Sequence, residues 1–121
     1  MPKSSTGPSS TRPHTRDEPA LAVAAEDLAV LESLLRQYLP EVEAWAFGSR
    51  VTGRARPASD LDLVVFAKPE QAARVADLRE ALEESDLPFR VDLHVWHELP
   101  ASFRDNIRRT HWPLPGLRSE K

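Results

Sequence analysis

Two aspartates two residues apart, Asp60 and Asp62, open an apolar run that ends at Phe66. If the run is a strand, residues two apart project to one face, so the two carboxylates lie side by side. Without a counter-charge they repel, and one of them holds its proton more tightly. A divalent cation between them removes that penalty and uses both carboxylates. Taken alone, Asp-x-Asp is also an ordinary turn with Asp60 capping and Asp62 solvated, because short motifs recur by chance. Upstream, Gly48-Ser49 ends a segment that suits a strand and precedes a short helical turn, about Ser49 to Arg54. Glycine lets backbone approach a ligand closely. The N–H groups that open a helix, with a serine hydroxyl beside them, suit a phosphate. By itself Gly-Ser is equally a loop dipeptide. Asp92 lies in a third stretch, Phe89 to Trp96, where Phe89, Val91, Leu93 and Val95 alternate with Arg90, Asp92, His94 and Trp96. Aspartate is depleted inside strands, so one found there is exposed or held for a reason. If this strand pairs beside the second, Asp92 joins Asp60 and Asp62. Three carboxylates on one sheet face beside a phosphate-binding turn describe a two-metal site for nucleotidyl transfer.

Neighbouring residues carry weaker signals. Arg50, Arg54 and Arg56 flank the turn and suit either a triphosphate or solvent. Ser59 caps the turn or hydrogen-bonds near Asp60. Thr52 and Gly53 shape the exit of the short helix. His94 shares the Asp92 face by alternation, but the first expectation for it is a satisfied, partly buried strand histidine. Trp45, Trp96 and Trp112 read as core or partner-contact residues.

The elements that must position these residues follow from periodicity. Residues 20 to 39 read as a helix, with Leu28, Leu31, Leu35 and Tyr38 at helical spacing and Pro40 stopping the run. Val42 to Phe47 suits a strand, Gly53 to Ser59 a loop, and Leu61 to Phe66 a strand buried on both faces. Pro69 opens a helix to about Glu84 that carries Ala72, Val75, Leu78, Ala81 and Leu82. After the third strand, Pro100 to Thr110 is a short helix. The order α-β-α-β-α-β-α predicts an α/β (α+β) fold, a small mixed sheet of three to four strands flanked by helices. The expected folded domain is residues 20–112. Residues 1–19, rich in Pro, Ser and Thr, are expected to be a disordered tail, and 113–121 a C-terminal tail.

Composition narrows the function. A chain of 121 residues holds one small domain. With 19 acidic and 16 basic residues the net charge is -3, which argues against bulk nucleic-acid binding. There is no cysteine, so disulfides, zinc-thiolate sites and thiol nucleophiles are excluded. A metal must then take oxygen or imidazole ligands. No apolar run approaches the ~20 residues of a membrane helix, and no secretory leader is visible. The expectation is a soluble, cytoplasmic protein with no membrane partner.

The composite pattern is Gly-Ser, three residues, Gly, five residues, Ser-Asp-x-Asp-Leu, then Asp in a later strand. It resembles the DNA polymerase beta-type nucleotidyltransferase superfamily. The chain length, with the Val91-Asp92-Leu93 strand before a short helix, is similar to its minimal nucleotidyltransferase (MNT) branch. The resemblance spans about Glu41 to Ile107 and implies the polymerase beta-like fold. It implies that Asp60, Asp62 and Asp92 are catalytic and bind two Mg²⁺ ions. It implies that Gly48 and Ser49 hold the β- and γ-phosphates of ATP, with Arg50 and Ser59 completing the nucleotide-binding set. Larger family members carry domains that present their acceptors, and this chain has no room for one. The MNT branch is typically encoded beside a HEPN-domain toxin, so the implied activity is that of an antitoxin moving AMP from ATP to a hydroxyl of that partner. Two alternatives stay open: an antitoxin that neutralises by binding alone, and a small-molecule nucleotidyltransferase with a separate acceptor-binding subunit.

Overall fold

The leucine spacing that begins at Leu28 forms α1 (Ala25–Tyr38) in the computed structural model, which describes residues 21–56 and 59–114. Glu26 and Asp27 in the first turn and Arg36 in the last match the helix dipole. The helix starts five residues later than the expected Ala20, because its core-facing leucines begin only at Leu28. Leu21 and Val23 instead pack as partly buried residues ahead of it.

Chain order continues with β1 (Ala44–Phe47), α2 (Ser49–Thr52), β2 (Leu61–Val65), α3 (Ala72–Glu83), β3 (Val91–Val95), α4 (Ala101–Arg109) and β4 (Trp112–Pro113). Pro69–Gln71 forms a 3-10 turn leading into α3, and Trp96–Glu98 forms another before α4. The mixed sheet has the order β3-β2-β1-β4. β2 and β3 run parallel, and α3 supplies the crossover that parallel neighbours require. β1 runs antiparallel to both β2 and β4.

Alternation divides the sheet into two different faces. Ala44, Ala46, Leu61, Leu63, Val65, Leu93 and Val95 pack with Leu31, Leu35 and Leu39, and with Val75, Leu78 and Leu82 of α3. Burying each of these leucines contributes roughly 1.5–3 kcal/mol. The opposite face carries Phe47, Val64 and the polar residues of the site. Ile107 packs there, with Phe103, Trp45, Phe66 and Trp96 partly buried around it. Trp45 stacks on His111 at 3.8 Å between ring centroids. The tryptophans thus sit in packing positions, as expected. The outer edge of β3 is partly covered, since Arg79 of α3 donates to the Leu93 carbonyl at 2.9 Å.

β4 is the element that periodicity did not show. Trp112 pairs with Ala46 and Pro113 with Trp45, and the Leu114 N–H donates to the Ala44 carbonyl at 3.0 Å. The proline is tolerated because this short strand lies at the sheet edge. The C-terminal tail was expected from Pro113, yet Pro113 pairs in the sheet and Leu114 is buried. The rest of that expectation, 115–121, and the expected tail 1–19 lie outside the described residues.

Candidate active site

Asp62 is the second residue of β2, between the buried Leu61 and Leu63, so alternation turns it to the opposite face. Asp92 holds the same place in β3 and is its Cα partner in the parallel register. His94, two residues on, shares that face. One ligand atom from each of Asp62, Asp92 and His94 lies within 4.8 Å of the others. His94 Nε2 stands 3.4 Å from Asp92 Oδ2. Phe47 and Phe103 flank the imidazole, at 5.5 and 6.0 Å between ring centroids.

Gly48 closes the site from the β1 side. Its φ of +85° is left-handed backbone, which favours glycine. A Cβ there would collide with the Asp62 carboxylate, with Asp62 Cγ only 3.2 Å away. The turn and the carboxylate are therefore packed against each other. Ser49 opens α2 directly after it, and the Gly48 carbonyl accepts from the Val51 and Thr52 N–H groups at 2.9 and 3.1 Å. A cavity of about 350 Å³ opens between this turn and α4, lined by Phe47, Gly48, Thr52, Phe103, Asn106 and Ile107 among others.

The electrostatic strain of the site falls on Asp62. Its carboxyl is raised above the usual value, first by burial, then by repulsion from Asp92; Asp60 adds to the rise and His94 opposes it. A half-buried carboxylate facing a second, exposed one is an environment that a divalent cation relieves. The donor set, two carboxylates with an imidazole beside them, fits a hard cation, with the histidine as a softer ligand or an orienting partner.

Of the expected site residues, the structure brings Gly48, Asp62 and Asp92 into direct proximity. Asp60 is exposed one position before β2 and acts on Asp62 through its charge. Ser59 sits in the entering turn, where its Oγ accepts from the Arg56 N–H at 2.8 Å. Arg50 is buried, with its guanidinium on the Ser59 and Ala22 carbonyls. Arg54 and Arg56 are exposed. His94 is the residue that sequence reasoning set aside. Its alternation with Asp92 was the available signal, but periodicity cannot show that β2 lies on that side of β3.

Among the described residues, no helix is long and apolar enough to cross a membrane. The family described as polymerase beta, nucleotidyltransferase matches residues 30–114. The chain is 42% identical over 92 residues to "Probable protein adenylyltransferase MntA" of Haemophilus influenzae, covering 75% of this chain and 81% of that protein. It also superposes on a solved chain described as "Crystal structure of the toxin-antitoxin with AMP-PNP", with a TM-score of 0.58, 21% identity, and coverage of 77% of this chain and 74% of the other. At that identity the likeness speaks for the fold. With that fold, and with Asp62, Asp92 and Gly48 of the motif brought together, the chain belongs to the polymerase beta-type nucleotidyltransferases, in their minimal branch, and is a nucleotidyltransferase.

Proposed function

We propose that the protein moves AMP from ATP to a hydroxyl of a partner protein, and that the partner is the HEPN-domain toxin of a toxin–antitoxin pair. The observation that carries the reading is the pairing of Asp62 with Asp92 across β2 and β3, closed by the Gly48 turn. The Haemophilus relative, named a protein adenylyltransferase, supports the choice of nucleotide and of a protein acceptor.

Asp60, Asp62 and Asp92 would hold two Mg²⁺ ions, which when bound supply charge for the acceptor oxygen and the departing pyrophosphate. Gly48 lets the phosphates approach the backbone, and the Ser49 hydroxyl donates to a phosphate oxygen. The acceptor hydroxyl oxygen bonds to the α-phosphorus as the bond to pyrophosphate breaks. Asp92 takes the hydroxyl proton. His94, at 3.4 Å, orients that carboxylate. Of the expected nucleotide-binding set, Gly48 and Ser49 face the phosphates, while Arg50, buried in α2, and Ser59, ahead of β2, lie behind them and bond to each other.

The test is incubation with labelled ATP, Mg²⁺ and the HEPN-domain protein encoded beside its gene. Label should appear on the partner with the wild type and be absent with the Asp60→Ala/Asp62→Ala double variant. A toxin silenced equally by both forms, without label, would instead establish a binding antitoxin. ATP consumed with no labelled protein would establish a small-molecule acceptor.

A further inference from the structure

Arg50 follows Ser49 in α2, yet its side chain is committed to backbone elsewhere. Nε and one terminal nitrogen both donate to the Ser59 carbonyl, at 3.0 and 2.8 Å. The other terminal nitrogen donates to the Ala22 carbonyl at 2.8 Å. The guanidinium lies 4.4 Å from the centre of the Phe89 ring, just ahead of β3. The Arg50 carbonyl in turn accepts from the Ala22 N–H at 2.8 Å. The residue is only 7% exposed. A buried guanidinium is costly to desolvate and is kept where its donors are well used. A fork of two N–H groups on one carbonyl fixes that carbonyl's direction as well as its distance, which an ammonium cannot do.

The fixed carbonyl belongs to the residue immediately before Asp60. Asp60 itself is exposed, and its carboxylate lies outside the close group formed by Asp62, Asp92 and His94. Its backbone must be held for its side chain to join them. We infer that Arg50 is a positioning residue: by anchoring Ser59 it holds Asp60 in register with Asp62 and Asp92, from the same short helix that follows the Gly48 turn. The inference rests on the metal-binding reading proposed above. It assigns Arg50 a role behind the site and removes it from direct contact with the nucleotide.

The test is a Mn²⁺ titration without nucleotide, with free Mn²⁺ followed by electron paramagnetic resonance. Four proteins are compared: wild type, Arg50→Lys, Asp60→Ala and the double variant. Arg50→Lys should weaken Mn²⁺ binding by about 10–100-fold, the range for residues that orient metal ligands. In the Asp60→Ala background the same change should alter affinity by less than about twofold, because the interaction it acts through is gone. In transfer assays kcat should fall with KM for ATP little changed. Equal losses in both backgrounds would overturn the inference and leave a general folding role. A raised KM for ATP with unchanged Mn²⁺ affinity would overturn it in favour of a direct nucleotide contact. If Arg50→Lys does not fold, Phe89→Leu, which removes the ring beneath the guanidinium, enters the same cycle. A wild type that binds no Mn²⁺ would sink the metal reading and this inference together, whereas binding that does not couple Arg50 to Asp60 would sink the inference alone.

Discussion

Asp62 and Asp92 are Cα partners in the parallel pairing of β2 with β3, so the two carboxylates start from the same level of one sheet face. Their repulsion is built into the backbone register and cannot be relieved by a small shift of either strand. Slipping the pairing by one residue would turn a whole strand's apolar side chains to the wrong face.

Stability should therefore report on this pair. The Asp62 carboxyl is raised above its ordinary value of 3.8, so the fold prefers its protonated form. A raised carboxyl leaves stability complete below the unfolded value and lowers it as pH climbs through the folded one. At neutral pH without divalent cations, Asp62→Asn should melt at a higher temperature than the wild type. The gap should close as pH falls toward 3.8. Adding Mg²⁺ should raise the melting temperature of the wild type and not that of Asp62→Asn. Thermal unfolding at several pH values, with and without chelator, checks all three statements.

Gly48 and Gly53 make a controlled comparison. Both have positive φ, +85° and +84°. A Cβ at Gly48 meets the Asp62 carboxylate, while at Gly53 nothing lies within 4 Å. Gly53→Ala should cost about 1–2 kcal/mol of backbone strain and leave transfer activity near normal. Gly48→Ala should show a similar strain and also lose about 100-fold in rate, because it displaces a carboxylate of the site. Paired melting curves and initial rates separate the two effects. Equal rates in the two variants would contradict the packing described for Gly48.

His94 should matter to the chemistry more than to the fold. Its side chain keeps 26% of its exposure and sits beside Asp92. His94→Ala should lower activity by about 10–100-fold, as loss of a residue that orients a metal ligand does. The far-ultraviolet circular dichroism should be unchanged. Wild-type activity in this variant would restore the simpler view of a packed strand histidine.

Leu114 tests where the folded unit ends. It is 1% exposed, next to the two-residue β4. Leu114→Ala should cost about 2–5 kcal/mol, the usual cost for a buried leucine. A residue in a solvated tail would cost almost nothing. Denaturant unfolding distinguishes the two.

The sequence was most legible where period and chemistry agreed. Leu61 to Val65 reads as a buried strand because Leu63, Val64 and Val65 are apolar without interruption, and Asp62 stands out against them. Asp92 stands out in the same way against Val91 and Leu93. What could not be read is what depends on neighbours in space. β4 is two residues long and contains a proline, so it has no period; only its pairing with β1 defines it. The role of Arg50 depends on Ala22, Ser59 and Phe89, which are far from it in the chain and leave no local pattern. The expected helix from Pro69 began as a 3-10 turn, because Gln71 folds back to accept from the Lys68 N–H at 2.8 Å before α3 starts.

The bond from Arg79 to the Leu93 carbonyl bears on a hazard of this architecture. β3 carries a site aspartate and is also one of the two edge strands, so its far side offers backbone groups to any passing chain. A strand added there would extend the sheet beside Asp92 and stack one copy against the next. A long, charged side chain lying on that edge makes it a poor template for such growth. The helix that crosses over to set β3 parallel to β2 thus also guards its exposed border against self-association.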